Sequence, residues 1–233
     1  MDTDITDLTK ILLEFQKVPK SARARTFLEI SGYPHYENVC SNILQFYLDP
    51  HNEHGLKDLV LNSLIQLADK DFHFECDFEK IEVDREMQTL SGNRLDLLIT
   101  TENYVIGIEN KVFHFLNNDL EDYSKTVRNK EGQKKAINII LSLNRLSKEK
   151  DIERANAHNF KTITYEDLFK NIRKNIGNYL SHSKPTYFIY LVDFMKSIEN
   201  LKPSTMDNKK LWKFFHDNME NVQELTNLFN SYK

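Results

Sequence analysis

The sequence predicts an α/β fold in which a mixed central sheet, in the core order αβββαβ, is flanked by helices and extended by helical additions at both ends. Apolar residues recur at helical spacing before about residue 70 and after residue 165. Between these stretches they alternate or form short unbroken runs, as strands do. One helical segment, residues 117–128, interrupts the strands, and such a crossover would make the next strand parallel to its neighbour.

The elements can be assigned in order along the chain. Asp49-Pro50 ends the helix over 36–48, because proline cannot continue a helix. The predicted helices are residues 4–17, 26–30, 36–48, 56–68, 117–128, 166–176, 186–201 and 208–232. The predicted strands are residues 78–88, 94–100, 104–111, 136–143 and 160–165, the first three forming an antiparallel meander. Residues 143–159 form a charged loop or a helix, and both readings stay open.

The length of 233 residues and the hydrophobic content of 40% suit a single domain over residues 1–233. Its core would span about residues 36–200, with the helical segment 1–34 and the helix 208–232 packed on it. The 6 Gly and 5 Pro exclude collagen-like and low-complexity architectures. The 2 Cys exclude a multi-disulfide scaffold and a four-cysteine zinc site, and they suit a reducing compartment.

The charge balance limits the classes of partner. The 31 Lys and Arg against 35 Asp and Glu give a net charge of −4, which excludes a uniformly basic protein. It does not exclude an enzyme of nucleic acids, because the local field matters more than the net charge. No run approaches the roughly 18 apolar residues of a membrane span, and the acidic start is unlike a signal peptide. We therefore expect a cytoplasmic protein without membrane contact; a homo-oligomer is compatible with the sequence.

The hairpin over residues 94–111 carries the most informative pattern. A two-residue or a four-residue connection gives the same register, which places Asp96 opposite Glu109. Because side chains alternate along a strand, Lys111 shares the face of Glu109 and Asn110 points to the other face. The opposite faces of both strands are also apolar, which indicates a central hairpin buried on both sides. Those apolar residues are Leu95, Leu97, Ile99, Ile106 and Ile108.

Two opposed carboxylates in a buried hairpin need a cation. Their mutual repulsion and burial are costly unless a metal ion binds both, and Lys111 supplies a further positive charge. Hard oxygen ligands favour Mg²⁺ or Mn²⁺ over Zn²⁺. The alternative, ordinary solvent-facing charges, conflicts with the apolar surroundings. Gly107 on the same face weakens a strand unless another group must approach closely.

At these residues the sequence resembles a known family. The segment R-L-D-L-L-I, a short spacer and I-G-I-E-N-K-V resemble the core of the PD-(D/E)xK nuclease superfamily, which has the restriction-endonuclease-like fold. Upstream, Glu37, Ser41, Leu48-Asp49-Pro50 and His54-Gly55 resemble the E…S…LLDP…HG pattern on the leading helix of one bacterial branch. The resemblance covers about residues 36–143.

The resemblance implies a role for each matching residue. Asp96 and Glu109 would hold Mg²⁺ (or Mn²⁺), with the Asn110 backbone carbonyl as a further ligand. Lys111 would position the attacking water or stabilise the charge that develops on the phosphate, and Glu37 would be an auxiliary acid. The implied activity is metal-dependent hydrolysis of phosphodiester bonds, in DNA by preference, in restriction or defence against foreign DNA. The alternative is a module of the same fold that binds nucleic acid or protein without cleaving it.

Several further residues have two readings. Glu86 could reach the metal or pair with Arg94, and Arg94 could steady a carboxylate or a phosphate. Ser41 belongs to the upstream pattern. Such families often place Gln four residues before a Tyr on the helix after E-x-K; here Tyr123 is present but Asp119 occupies the Gln position. Five basic residues could contact nucleic acid or form a solvated helix end: Lys125, Arg128, Lys130, Lys134 and Lys135.

Overall fold

The computed structural model of the protein describes residues 24–32, 37–69, 80–112, 116 and 118–202, together with residues 13 and 218. The chain divides into two compact units, residues 26–199 and a unit made of residues 1–25 and 200–233. The elements below belong to the first unit, whose last helix runs one residue beyond it. The helices predicted over 4–17 and 208–232 fall almost entirely outside the described residues, so their packing on the core stays a prediction.

A mixed sheet of five strands forms the centre of the first unit, in the order β1-β2-β3-β4-β5. The strands are β1 (Glu82–Gln88), β2 (Arg94–Thr100), β3 (Tyr104–Lys111), β4 (Lys135–Ser142) and β5 (Phe160–Thr164). The first three form an antiparallel meander, while β4 pairs parallel with β3 and β5 parallel with β4. The predicted mixed sheet with a helical crossover is confirmed.

The helices cover both faces of this sheet. They are α1 (Phe27–Ile30), α2 (Glu37–Leu48), α3 (Leu59–Ala68), α4 (Leu120–Asn129), α5 (Glu149–Ala157), α6 (Tyr165–Asn175) and α7 (Pro185–Asn200). Helices α2, α3 and α6 pack on one face, and α4 and α5 pack on the other. The segment 143–159, for which both a loop and a helix were open, contains α5. None of the helices in the described part of the chain is long and apolar enough to cross a membrane.

The β2–β3 hairpin has the predicted register, but its pairing ends one position before the two acids. Leu97 pairs with Ile108 at that end. Asp96 is paired with neither neighbouring strand, because the pairing of β2 with β1 passes from Leu97 directly to Leu95. Across from Asp96, Glu86 has a φ of 51°, a left-handed conformation that interrupts a regular strand.

This interruption changes the face on which Leu95 lies. Strict alternation predicts that Leu95 shares the face of Leu97, and that prediction is wrong. Leu95 belongs to the buried cluster of Leu98 and lies beside Gly107 of β3. The irregular pairing at Asp96 therefore shifts the alternation of β2 at the position where the candidate site begins.

At Gly107, helix α4 packs directly against strand β3. A Cβ built on Gly107 would lie 2.5 Å from Cγ2 of Val127 and 3.1 Å from Cδ2 of Leu95. Val127 is fully buried, and its branched side chain has little freedom to move away. The close approach that the sequence indicated at Gly107 is thus made by a helix of the same chain.

We expect Gly107→Ala to lower the free energy of unfolding by about 1–3 kcal/mol, the usual cost of an overpacked core. The measurement is urea unfolding of the metal-free protein. Gly177→Ala is the matched control, because a Cβ there meets nothing within 4 Å. The added substitution Val127→Ala should recover part of the loss caused by Gly107→Ala. Equal stability of the two glycine variants would show that α4 does not pack this closely.

Candidate active site

Three of the residues predicted to be catalytic meet at the carboxyl end of β3. The Nζ atom of Lys111 lies 2.8 Å from Oε1 of Glu109 and 3.9 Å from Oε2 of Glu37. Glu37 is the first residue of α2, and its Oε1 accepts a hydrogen bond of 2.9 Å from the backbone N–H of Val112. The contact between α2 and the end of β3 thus brings the auxiliary acid to the lysine.

Asp96 is hydrogen-bonded to the carboxyl end of β3. Its Oδ2 accepts a hydrogen bond of 2.7 Å from the backbone N–H of Asn110. Because the pairing of β2 and β3 has already ended, this side chain takes the place of a ladder acceptor. The structure therefore brings Asp96, Glu109, Lys111 and Glu37 into one cluster.

Glu109 is the most buried acid of the cluster, with 1% of its surface exposed. Its Oε2 has no hydrogen-bond partner among the described residues. Burial raises the pKa of Glu109 to about 8, the negative charge of Asp96 adds to this rise, and the Lys111 ammonium opposes it. Without a further cation, Glu109 therefore favours its protonated form at neutral pH.

The two neighbours of Glu109 respond to the same surroundings. Burial raises the pKa of Asp96, while the hydrogen bond from Asn110 and the Lys111 charge oppose the rise. Burial lowers the pKa of Lys111, but the carboxylates of Glu109, Glu37 and Asp96 raise it by more, so the net shift is upward. Lys111 is thus held as an ammonium ion among three acids.

The carboxylate pair has the chemistry of a site for a hard divalent cation. No group of three or more His, Cys, Asp or Glu side chains in the described ranges is arranged to hold a metal ion. Asp96 and Glu109 nevertheless offer carboxylate oxygens, and Oε2 of Glu109 is buried without a partner. Mg²⁺ is commonly held by one or two carboxylates and keeps several water ligands. The residues present fit such an ion.

The side chain of Asn110 joins three elements on the other face of the sheet. Its Nδ2 donates to Oγ of Ser41 over 3.1 Å and to the backbone oxygen of Glu37 over 3.3 Å. Its Oδ1 accepts a hydrogen bond of 2.7 Å from the hydroxyl of Tyr165. Ser41, named from the sequence as an auxiliary residue, therefore has a structural contact.

Sequence reasoning missed this role of the Asn110 side chain and did not find Tyr165 at all. An amide among the apolar residues on that face of β3 was the available signal for Asn110. The Tyr165 contact had no local signal, because 55 positions separate the two residues.

The remaining auxiliary candidates form structural contacts. Glu86 pairs with Arg94 over 3.2 Å and with Arg85 over 3.1 Å, as one of its two readings expected. The Tyr123 hydroxyl donates to the backbone oxygen of Arg94 over 2.8 Å. Asp119, at the position where related families often carry Gln, caps α4 by accepting from the N–H of Asp122 over 3.1 Å.

Asp122 is a structural residue that the sequence did not reveal. It is buried, and its carboxylate accepts hydrogen bonds from the Thr89 hydroxyl, the Ser91 N–H and the Asn93 amide. These three partners belong to the turn between β1 and β2. Asp122 therefore holds this turn on α4, close to the strand that carries Asp96.

One of the five predicted basic contacts, Lys135, lies at the opposite end of β3 from the acid cluster. Lys135 pairs with Tyr104 at one end of β3, whereas Lys111 pairs with Ser142 at the other end. Seven steps of about 3.3 Å along a strand separate the two ends by about 23 Å. Lys135 also forms an ion pair with Asp69. The exposed Lys125 pairs with Glu121 over 2.6 Å, and Arg128, Lys130 and Lys134 follow toward the end that Lys135 occupies.

Comparison with known proteins agrees with this geometry. A family model described as the PD-(D/E)XK nuclease superfamily matches residues 26–196, which include the whole sheet and the acid cluster. Searches of curated proteins and of solved structures returned no match.

We expect Glu109→Gln to stabilise the metal-free protein at pH 8 and to leave its stability nearly unchanged near pH 5. The folded pKa of about 8 lies above the ordinary value of 4.5, so the wild-type protein loses stability as the pH rises through that interval. Gln cannot ionise and escapes this loss, with a gain of about 1–3 kcal/mol at pH 8. Urea unfolding in EDTA at several pH values measures the effect.

The exposed acid Glu153 provides the control, because Glu153→Gln should give no gain that grows between pH 5 and pH 8. A Glu109→Gln variant that is less stable than wild type at pH 8 would contradict the prediction. That result would mean that the attraction of Lys111 for the Glu109 carboxylate outweighs the combined cost of its burial and its repulsion by Asp96.

Proposed function

This chain belongs to the PD-(D/E)XK nuclease superfamily, and from that premise we propose that it is a metal-dependent nuclease that hydrolyses phosphodiester bonds in DNA. The observation that carries the proposal is the pair of the half-buried Asp96 and the buried Glu109 beside the Lys111 ammonium, with Oε2 of Glu109 lacking a hydrogen-bond partner among the described residues. A purely structural hairpin gains nothing from two acids placed in this way.

Asp96, Glu109 and the backbone carbonyl of Asn110 would hold Mg²⁺ or Mn²⁺, which supplies Lewis-acid chemistry and lowers the pKa of water. Hydrogen-bond donors of the chain orient both carboxylates for this role. The Asn110 N–H orients Asp96, and the Lys111 ammonium orients Glu109 through Oε1, leaving Oε2 available. Because burial raises the pKa of Glu109, a divalent cation held by its carboxylate would favour the deprotonated form.

Lys111 would act on the phosphate and not on the metal. Its ammonium has three donors and no free lone pair, so it cannot be a ligand while protonated. The upward shift of its pKa keeps it charged. It would stabilise the negative charge that develops on the phosphate oxygens or hold the attacking water, and Glu37 would fix the direction of its Nζ.

The choice of DNA as substrate and a role in restriction or defence against foreign DNA follow from the family resemblance, and action in the cytoplasm is proposed from the low cysteine content. The alternative is a module of the same fold that binds nucleic acid or protein without cleaving. The Asp119 departure and the acidic pI favour that alternative, and the capping contact of Asp119 gives the departure a structural explanation.

We expect the purified protein to cleave DNA with Mg²⁺ or Mn²⁺ and to be inactive in EDTA. The assay compares plasmid, linear duplex and single-stranded DNA, and RNA, with calorimetric titration of Mn²⁺ in parallel. Asp96→Asn should abolish metal-dependent cleavage and metal-induced stabilisation, while the metal-free stability stays equal or rises by up to about 2 kcal/mol. Absence of metal-dependent cleavage of all four substrates would contradict the proposal, and Mn²⁺ binding without cleavage would favour the non-cleaving module.

We expect Lys111→Ala to reduce cleavage by about 10²–10³-fold, the scale for one transition-state stabiliser, while Mg²⁺ binding is kept or tightened. Lys111→Arg should rescue poorly, because the wider guanidinium places its charge elsewhere. Single-turnover cleavage and Mn²⁺ titration separate the two effects. Lys161→Ala, an exposed lysine on β5, is the control. Cleavage by Lys111→Ala at a rate close to wild type would show that this cluster is not the active site.

A further inference from the structure

A small cavity of about 220 Å³ lies beside Lys111, on the side of the site that faces the loop after β4. Lys111, Val112 and Leu116 line it. Ser142, the loop residues 144–148 and Asp151 of α5 complete the lining. The lysine proposed to act on the scissile phosphate therefore also lines this cavity.

The loop after β4 that lines the cavity is held in place by the sheet. Lys111 pairs with Ser142 across β3 and β4, and the backbone N–H of Leu143 donates to the oxygen of Lys111 over 2.9 Å. The buried hydroxyl of Ser142 donates to the oxygen of Asn144 over 2.8 Å. These contacts fix the start of the loop, so the residues that follow are carried above the end of β3.

Two exposed cations, Arg145 and Lys148, line this cavity together with Lys111. One acid, Asp151, also lines it, but its Oδ1 lies 4.0 Å from the guanidinium of Arg154. A guanidinium presents a planar fork of donors that matches a phosphate, and an ammonium adds a point charge. The lining therefore has the chemistry to bind an anion.

Cations in this cavity would favour the binding of a nucleic-acid substrate beside the acid cluster. Asp96, Glu109 and Glu37 lie around the single ammonium of Lys111, and their carboxylates repel a polyanion where no divalent cation balances them. The basic residues Lys130, Lys134 and Lys135 are near the other end of the sheet, about 23 Å away along β3. They cannot offset this repulsion at the reacting phosphate.

We propose that this cavity binds the DNA phosphate that neighbours the scissile one, with Arg145 and Lys148 as the positioning residues that hold it. This inference rests on the proposed nuclease function, because it assigns a second phosphate of the same substrate. The backbone phosphate of DNA is the ligand, and no base is read here. Lys111 lies between the cavity and the acid cluster, so one strand would reach both.

The test is the double variant Arg145→Ala/Lys148→Ala. Its binding to a duplex oligonucleotide is measured by fluorescence anisotropy in the slowly cleaving Lys111→Ala background with Mg²⁺, between 50 and 200 mM KCl. Each neutralised phosphate contributes about 0.9 to the slope of log K against log salt, and the two residues would neutralise one phosphate, so the slope should fall by about 0.9. Affinity at the lowest salt should fall about tenfold or more.

Kinetics with Lys111 intact provide the second readout. A positioning role predicts a KM that rises about tenfold with kcat changed by less than about threefold. The single variant Arg145→Lys should keep most of the wild-type salt slope, because the slope depends on charge and lysine keeps the positive charge. Both residues are exposed, so the unfolding midpoint should stay at the wild-type value.

The matched control is Lys170→Ala/Lys174→Ala, which removes the same charge from exposed residues of α6, on the opposite face of the sheet. Equal effects of the two double variants on slope and KM would overturn the inference, because only the overall field would matter. An unchanged slope in Arg145→Ala/Lys148→Ala, while the wild-type protein cleaves DNA, overturns the inference and leaves the proposed function standing. A wild-type protein that neither binds nor cleaves DNA overturns both.

Discussion

The carboxylates of Asp96 and Glu109 are drawn largely out of water beside the Lys111 ammonium, and the surrounding structure compensates for the cost of this arrangement. The Asn110 N–H donates to the half-buried Asp96, and the Lys111 ammonium donates to the buried Glu109. Oε2 of Glu109 has no partner among the described residues. Burial therefore raises the pKa of both acids and leaves a deficit of compensating positive charge. A bound divalent cation would remove this deficit, which connects the stability of the site to its proposed chemistry.

The position of these groups depends on an irregularity in β2 and on the regular alternation of β3. Pairing of β2 is interrupted at Asp96, opposite the left-handed residue Glu86, and the freed carboxylate turns toward the backbone of β3. Strand β3 keeps its alternation, so Glu109 and Lys111 share one face while Asn110 joins α2 and α6 on the other. One face of β3 therefore carries the candidate catalytic groups, and the other face carries the side chain that holds α2 and α6.

The distribution of cations explains how an acidic protein could act on a polyanion. The net charge of −4 includes the acids of the site, whose repulsion would be offset by a divalent cation, by Lys111 and by the proposed cavity at Arg145 and Lys148. A basic cluster elsewhere on the surface can contribute to attraction over a distance. Only cations beside the reacting group can position it, because charge interactions in water weaken within about 10 Å.

The sequence by itself determined the mixed sheet, the bounds of β2 and β3, the hairpin register up to Leu97 and the family. These features depend on local periodicity and on short connections, which neighbouring residues specify. Only the tertiary structure decided that Asp119 caps α4 and that Asp122 holds the turn between β1 and β2 on this helix. It also decided that Tyr165 donates a hydrogen bond to Asn110 and that Lys135 lies at the opposite end of β3 from the acids. Such contacts join residues far apart in the chain. The direction of a parallel crossover, which carries residues after β3 to the other end of the sheet, separates groups that are close in sequence.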